Sequence, residues 1–298
     1  MMCIKERNAS DSTCKKLLRD KGCFADLCNY AFFNGRQVIQ PEELVSREND
    51  LSTLIGKVDK PTEIKRYRDV VRKASIHGEY VIIGVEHQST FDEKMIFRIL
   101  NYDATIYINQ VESKQEIYPV GSFAFYTGDK EWKSPETLKN IPPDMEPYIN
   151  DWRLPVVELK TMDARKLTNQ RLKEVVEISQ SMFAGNYDDL RNNRKIETEN
   201  FMMAATFTRT KIKREDLPEG DEINMCEAMD RLFQRFENQG IEKGERSGIE
   251  KGKSDTLKDL LKVKLGTLSR PLEKQLTNTS LEKLNELTLN IFNVTNEE

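Results

Sequence analysis

Glu86, His87 and Gln88 are polar residues that end an apolar run, and their types make them candidates for chemistry. Five of the six residues from 80 to 85 are apolar, which predicts a buried strand. Because side chains alternate along a strand, Glu86 and Gln88 share one face and His87 points to the other. The triplet therefore marks either the place where the strand meets water or a site that uses Glu86 and Gln88.

Asp69 is a second acidic residue that the local pattern brings toward Glu86. It begins a segment that predicts another strand, and a turn at His77-Gly78 would join the two strands as a hairpin. Two carboxylates at one point repel each other unless they share a proton or hold a cation. Mg²⁺ suits such a pair, because it binds one or two carboxylates and can activate a bound water.

Ion pairing is the alternative explanation for both acidic residues. Asp69 and Glu86 each have cations near them in the sequence, namely Arg66, Arg68, Arg72, Lys94 and Arg98. Arg98 and Tyr102 are one helical turn apart and can face a metal site or a phosphate. Tyr102 also belongs to the apolar stripe of that helix, so core packing is an equal alternative for it.

Other catalytic chemistries find little support in the composition. The chain has only two histidines, His77 and His87, which leaves little scope for a Ser-His or Cys-His pair. Its five cysteines show no CxxC spacing, and their odd number argues against a disulfide framework. Free thiols are expected, and any active site is expected to depend on carboxylates.

The composition also predicts a surface-rich, cytoplasmic protein of one or two domains. Charged residues make up 32% of the 298 positions, and neither a signal segment nor a membrane-length apolar stretch is evident. The net charge of −4 does not favour a nucleic-acid binder. The stretch Lys57–Lys73, however, has seven basic and three acidic residues, and is either a solvated face or a surface for phosphates.

The order of predicted elements indicates an α/β core. A helical pattern runs from Cys14 to Phe33, the hairpin follows, a long helix is predicted after Gln88, and a strand is predicted within Ile117–Gly128. Beyond Trp132 the chain is punctuated by prolines and then predominantly helical. Glycines then recur every fourth residue, at Gly240, Gly244, Gly248 and Gly252. This repeat predicts either a flexible charged linker or a helix that packs against a partner chain.

Five motifs in order resemble the Rpn family of recombination-promoting nucleases, which belongs to the PD-(D/E)XK superfamily and is also described as transposases. The motifs are FADLCNYAFFNG, RYRDVV, YVIIGVEHQS, MIFRILNY and YPVGSFAFYTG. The resemblance implies a restriction-endonuclease-like core, with a mixed central sheet flanked by helices, and an α-helical C-terminal region. Together with the composition along the chain, it gives four expected segments: a flexible arm (1–13), the nuclease-like core (14–132), a connection with helices (133–239) and a tail (240–298) that can form a homodimer.

The same resemblance implies a Mg²⁺-dependent DNA endonuclease that acts in recombination, on mobile elements or in phage defence. Asp69 and Glu86 match the metal ligands, and Gln88 stands where many relatives of the superfamily have a lysine. Gln88 cannot act as a base, but it can orient a water. Asp26 matches a supporting acidic position. The cations expected at the DNA backbone are Lys65, Arg66, Arg68, Arg72 and Lys73. The alternative is a nuclease-fold protein without activity that binds DNA or another protein.

Overall fold

The protein consists of two compact units, Met1–Met229 and Asp230–Glu298. The structure is a computed structural model and describes residues 4–45, 70–114, 116–133, 144, 148–150 and 152–296. Within these ranges no helix combines the length and the apolar character needed to cross a membrane.

A four-stranded mixed sheet forms the centre of the first unit. Its strands are β1 (Val70–Ile76), β2 (Glu79–Gln88), β3 (Val120–Tyr126) and β4 (Val156–Glu158), in the spatial order β1-β2-β3-β4. Strand β2 is antiparallel to β1 and parallel to β3, and β4 is parallel to β3. The predicted hairpin is confirmed. His77 and Gly78 have φ angles of 54° and 89°, as a two-residue turn between right-twisted strands requires.

Helices flank the sheet and continue to the C-terminus. They are α1 (Ile4–Arg19), α2 (Lys21–Phe33), α3 (Met95–Glu112), α4 (Gln170–Ala184), α5 (Thr198–Thr208), α6 (Met225–Leu265), α7 (Arg270–Thr277) and α8 (Leu281–Leu289). A small second sheet pairs β5 (Lys195–Glu197) with β6 (Glu222–Asn224). The architecture is therefore mixed α/β with a helical C-terminal region.

The pleat of β2 and β3 separates two hydrophobic cores. Val85 and Phe125 lie in the larger core, with residues of α1, α2, α4 and α5. Ala124 and Tyr126 lie in a smaller core with Met95 and other residues of α3. Since alternate side chains of a strand point to opposite faces, a residue's position in β2 determines which helices it meets.

The N-terminal segment differs from the flexible arm expected over residues 1–13, because α1 begins at Ile4. Asp11 Oδ1 lies 2.9 Å from His87 Nδ1, and Ser10 Oγ lies 3.4 Å from His87 Nε2. Thr127 Oγ1 is a further partner, 2.9 Å from Nε2. The polar contacts of a buried histidine thus join the first helix to the central strand.

The first unit also extends beyond the core expected to end at residue 132. Val157 of β4, Val175 of α4 and Phe207 of α5 all lie in the same core as Leu17 of α1 and Phe123 of β3. The expected connection over 133–239 is therefore largely part of this unit in the ranges that the structure describes.

The C-terminal unit contains its own small core, and the glycine repeat lies within a helix. All four repeat glycines belong to α6, and a Cβ atom built at any of them would meet nothing within 4 Å. Leucines from α6, α7 and α8 form the core, namely Leu257, Leu261, Leu276 and Leu284. The structure shows a helix at the repeat, and its packing against a partner chain stays a prediction.

Asp11→Ala is expected to destabilise the first unit, because His87 would lose a polar partner in a buried position. The expected loss is about 1–3 kcal/mol in the free energy of unfolding. Chemical denaturation of the full-length protein measures it, with Ser12→Ala as the matched control, since Ser12 is an exposed residue of the same helix. Equal stability of the two variants would contradict the role assigned to Asp11.

Candidate functional site

Glu86 is the buried acidic residue at the end of β2, on the face that α3 covers. Its side chain is only 6% exposed. Arg98 of α3 donates from Nη2 to Glu86 Oε1 over 2.7 Å. A buried carboxylate needs such a partner, because its desolvation is costly otherwise. The structure therefore brings together Glu86 and Arg98, which the sequence offered both as site residues and as a simple ion pair.

Asp92 joins this pair from the loop between β2 and α3. Arg98 donates from Nη1 to Asp92 Oδ2 over 2.7 Å, and Asp92 Oδ1 accepts the N–H of Lys94 over 3.0 Å. One guanidinium thus connects two carboxylates through its two terminal nitrogens. The sequence analysis assigned Asp92 no part in the site. The available signal was its spacing of six residues from Arg98, which is too weak to identify an ion pair.

Tyr102 completes the group on the helix side. Its hydroxyl lies 3.4 Å from Arg98 Nε, and the residue is 7% exposed. Burial alone lowers the pKa of Arg98, but the hydrogen bonds to Tyr102 and Asp92 and the charge of Glu86 raise the pKa above its ordinary value. Arg98 therefore remains a cation, and it contacts Glu86 of β2 and Tyr102 of its own helix α3.

Gln88 shares the α3 face of β2 with Glu86, as the alternation predicts, and it is half-buried. Its main-chain carbonyl accepts the N–H of Thr127 over 2.8 Å, which ties the end of β2 to the end of β3. Arg209 at the end of α5 donates to the carbonyl of Ser89. These contacts fix the backbone directly after the Gln88 side chain.

Several predicted site residues lie outside the described residues. These are Asp69, Lys65, Arg66 and Arg68. The nearest described residue is Val70, whose Cα partner across the hairpin is Val85.

Asp26 lies in α2 and is not brought to Glu86. Its helix is on the side of the larger core, whereas Glu86 points to the side of the sheet that α3 covers. Oδ2 of Asp26 accepts the N–H groups of Thr168 and Asn169, each over 2.9 Å, and Oδ1 accepts Gln37 Nε2 over 2.9 Å. Asp26 thereby holds the start of α4 against α2, and sequence distance of about 140 residues hid this role.

Arg72 and Lys73 leave β1 on different faces. Arg72 donates from Nη2 to the carbonyls of Leu18 and Arg19 over 3.0 and 2.9 Å, at the C-terminus of α1. This contact satisfies helix-end carbonyls and places the cation favourably for the helix dipole. Lys73 Nζ lies 3.6 Å from the ring centre of Tyr118 and 4.0 Å from that of Tyr80. Both cations thus have structural contacts.

His87 points away from Glu86, into the larger core, where its ring lies 6.0 Å from that of Phe207. Two thiols are equally remote from chemistry: burial raises the pKa of Cys23 and of Cys28 far above the ordinary value. In the part of the chain that the structure describes, no three His, Cys, Asp or Glu side chains form a metal-binding group. The candidate site is therefore the cluster of Glu86, Gln88, Asp92, Arg98 and Tyr102.

A comparison with known families places this cluster within a matched region. A family model described as "Putative transposase, YhgA-like" matches residues 62–209, which include both strands of the hairpin, β3, β4 and helices α3 to α5. No curated protein matches the chain, and no solved structure matches it.

Asp92→Asn is expected to destabilise the protein in a pH-dependent way. Burial alone raises the pKa of Asp92, but hydrogen bonds from Arg98 and from the Lys94 N–H lower it below its usual value of 3.8. A folded-state pKa below the unfolded one gives stability that is complete above pH 3.8 and is lost as the pH falls through the folded value. Thermal unfolding from pH 7 to pH 2.5 tests this, and a stability difference from wild type that persists in acid would contradict it.

Proposed function

We propose that the chain, whose residues 62–209 match the YhgA-like family model, is a metal-dependent endonuclease that cuts DNA in recombination or on mobile elements. The family's description supports the link to mobile elements. The observation that carries the nuclease proposal is the buried carboxylate of Glu86 at the end of β2, on the same face as Gln88 and in contact with Arg98.

The sheet supports a PD-(D/E)XK core. The pattern of that core is a hairpin whose second strand ends in the acidic residue and is followed by a helix. Strands β1 and β2 form an antiparallel hairpin, and helix α3 follows β2. The acidic residue and Gln88 stand at the end of the second strand, as the superfamily pattern requires.

Asp69 is the second ligand in this proposal. It precedes Val70 directly, and adjacent Cα atoms of a trans peptide are about 3.8 Å apart. Val70 pairs with Val85, which directly precedes Glu86. Asp69 itself lies outside the described residues, and its role as the second ligand is what the family resemblance implies.

The donor types suit a hard cation. Carboxylate and amide oxygens are the ligands that Mg²⁺ prefers, and one or two carboxylates suffice because the ion keeps several waters. Glu86 and Asp69 would hold the ion, which when bound lowers the pKa of a water and polarises a phosphoryl oxygen.

The chain's own residues supply orientation and charge. Gln88 can accept from and donate to a water, which would orient it beside Glu86. Arg98, a cation only 38% exposed, can donate to a phosphate oxygen as well as to the two carboxylates. Asp92 fixes the guanidinium at Nη1, so that its plane is set before DNA binds.

A second candidate function is DNA or protein binding without catalysis. The contact between Arg98 and Glu86 favours it, because the guanidinium already neutralises the carboxylate that a metal would need. The net charge of −4 also favours a partner other than bare DNA.

Plasmid nicking with and without Mg²⁺ distinguishes the two candidates. We expect wild-type protein to nick supercoiled DNA, and Asp69→Asn or Glu86→Gln to reduce the rate at least about 100-fold, since each change removes a charged ligand. Mg²⁺ is also expected to raise the melting temperature of wild type, because it binds the folded state, and to raise that of Glu86→Gln less.

Glu79→Gln is the matched control, because Glu79 is an exposed carboxylate at the other end of the same strand. It should keep wild-type nicking and the same thermal response to Mg²⁺. Nicking by wild type that is no faster than by Glu86→Gln, with both proteins folded, would leave the non-catalytic candidate.

A groove in the C-terminal unit offers a further contact for DNA phosphates. The groove encloses about 540 Å³ and is lined by Lys258, Lys262, Arg270, Glu273, Lys274 and Thr277. Lys262 pairs with Glu273 over 2.8 Å, whereas Arg270 and Lys274 have no ion pair among the described residues. Four cations and one carboxylate in one groove favour a polyanion as ligand.

The double variant Arg270→Gln/Lys274→Gln is expected to bind duplex DNA more weakly than wild type. Its plot of log affinity against log salt concentration should be less steep by about 2, because two phosphate contacts are lost. Fluorescence anisotropy with a labelled duplex measures both quantities. Lys243→Gln/Lys251→Gln removes the same charge from exposed positions of α6 and should retain the wild-type slope. Equal slopes for the two double variants would exclude the groove as a DNA contact.

A further inference from the structure

The contact between Arg98 and Glu86 bears on the order in which a cation and DNA can bind. Arg98 Nη2 lies 2.7 Å from Glu86 Oε1, so this oxygen already accepts from a positively charged donor. A divalent cation on the same carboxylate would lie close to the guanidinium, and like charges repel each other. In the protein alone, Arg98 therefore competes with a divalent cation for Glu86.

The guanidinium is more accessible than the carboxylate that it contacts. The side chain of Arg98 is 38% exposed, whereas that of Glu86 is 6% exposed. A phosphate oxygen can therefore approach Arg98 from the solvent. The N–H donors of an arginine match a phosphate group as well as they match a carboxylate. Arg98 can thus exchange its hydrogen bond to Glu86 for one to a phosphate.

Asp92 gives the guanidinium a second attachment that does not depend on Glu86. Arg98 Nη1 donates to Asp92 Oδ2 over 2.7 Å, and Asp92 Oδ1 in turn accepts the N–H of Lys94 over 3.0 Å. When Nη2 leaves Glu86, Nη1 can remain on Asp92. Arg98 would then turn about this contact and stay in the site during the exchange.

We propose that Arg98 prevents a divalent cation from binding to Glu86 until a DNA phosphate accepts the Nη2 hydrogen bond. This inference rests on the proposed function and adds an order of binding to it. A carboxylate as buried as Glu86 needs a positively charged partner, so the loss of Arg98 favours a divalent cation in its place. DNA and the cation thereby each raise the affinity of the protein for the other.

The exchange also accounts for the contact that favours the non-catalytic candidate. In the protein without ligands, the guanidinium compensates the buried charge of Glu86. The same guanidinium faces solvent and is a phosphate donor, so the ion pair is the resting state of a site that DNA opens. The site would therefore be complete only on its substrate.

Mn²⁺ titration of the full-length protein without DNA tests the proposal, with free Mn²⁺ measured by electron paramagnetic resonance. The binding of interest is the part that Glu86→Gln abolishes. Arg98→Gln should bind Mn²⁺ there at least about tenfold more tightly than wild type, because the competing cation is gone and coupled sites commonly differ by this much.

Arg194→Gln is the matched control for this titration. Arg194 is 36% exposed, and its Nη1 lies 2.7 Å from Glu177 Oε2, so the change breaks a similar ion pair of the same unit. It should bind Mn²⁺ as wild type does. Circular dichroism shows whether each variant is folded.

Phenylglyoxal modification of wild type provides a second measurement, which decides the question if Arg98→Gln does not fold. The reagent attacks the neutral guanidine, so an arginine that is held by two carboxylates reacts slowly. Saturating Mn²⁺ should raise the rate at Arg98 at least about fivefold, because the contact with Glu86 is lost. The rate at Arg194 should not change. Mass spectrometry of the digested protein measures both rates.

Two sets of outcomes separate this inference from the proposed function. Equal Mn²⁺ affinity of folded Arg98→Gln and wild type, or an Arg98 modification rate that saturating Mn²⁺ leaves unchanged, would overturn the inference and leave the nuclease proposal in place. Mn²⁺ binding that Glu86→Gln does not reduce would overturn both, because Glu86 would then hold no cation.

Discussion

The burial of β2 on both faces is the constraint on which the first unit depends. It lies between β1 and β3, and its last buried positions carry Glu86 and His87 rather than apolar residues. A buried polar group costs free energy unless it is hydrogen-bonded, and a buried charge needs a partner. Glu86 obtains its partner from α3, and His87 obtains its partners from α1 and from Thr127, directly after β3. Two polar residues of one strand thus determine how helices on both sides of the sheet are attached.

The burial of β2 on both faces also shows which of Glu86, His87 and Gln88 are placed to form a site. The alternation of β2 assigns Glu86 and Gln88 to one environment and His87 to another. On the α3 side, Glu86 is joined by the polar side chains of Asp92 and Arg98, and Gln88 at the end of β2 is half-buried. On the other side, His87 is enclosed by aromatic rings and hydrogen-bonded to Asp11 and Thr127. The His87 side chain is fully buried, whereas Gln88 and Arg98 on the α3 side are partly exposed, as residues that meet a substrate must be.

The sequence was sufficient for those elements whose determinants lie close together in the chain. The hairpin depends on His77-Gly78 and on apolar residues at either side, and α3 depends on a helical stripe. Four of the five motifs that carry the family resemblance lie within residues 62–209, which the YhgA-like model matches, whereas the first motif, at residues 24–35, lies outside the match. The helical start of α1 could not be predicted in this way, because its contact with His87 spans 76 residues. Strand β4, with three residues, is too short to show a period. The hydrogen-bond partners of Asp26 and Asp92 could not be predicted for the same reason, since they are set by packing rather than by spacing.

Arg98 connects the chemistry of the site with the surface of α3. It lies between the inner side of the helix, where Glu86 and Tyr102 accept from it, and the outer side, where Phe97 is adjacent in sequence. Electrostatic attraction strengthens as water is excluded, because the effective dielectric constant falls. Any partner that covers the outer side of α3 would reduce the exposure of Arg98 and strengthen its hold on Glu86 and Asp92. The ion pair between Arg98 and Glu86, the carboxylate that the nuclease proposal requires, would therefore be stronger when the outer side of α3 is covered.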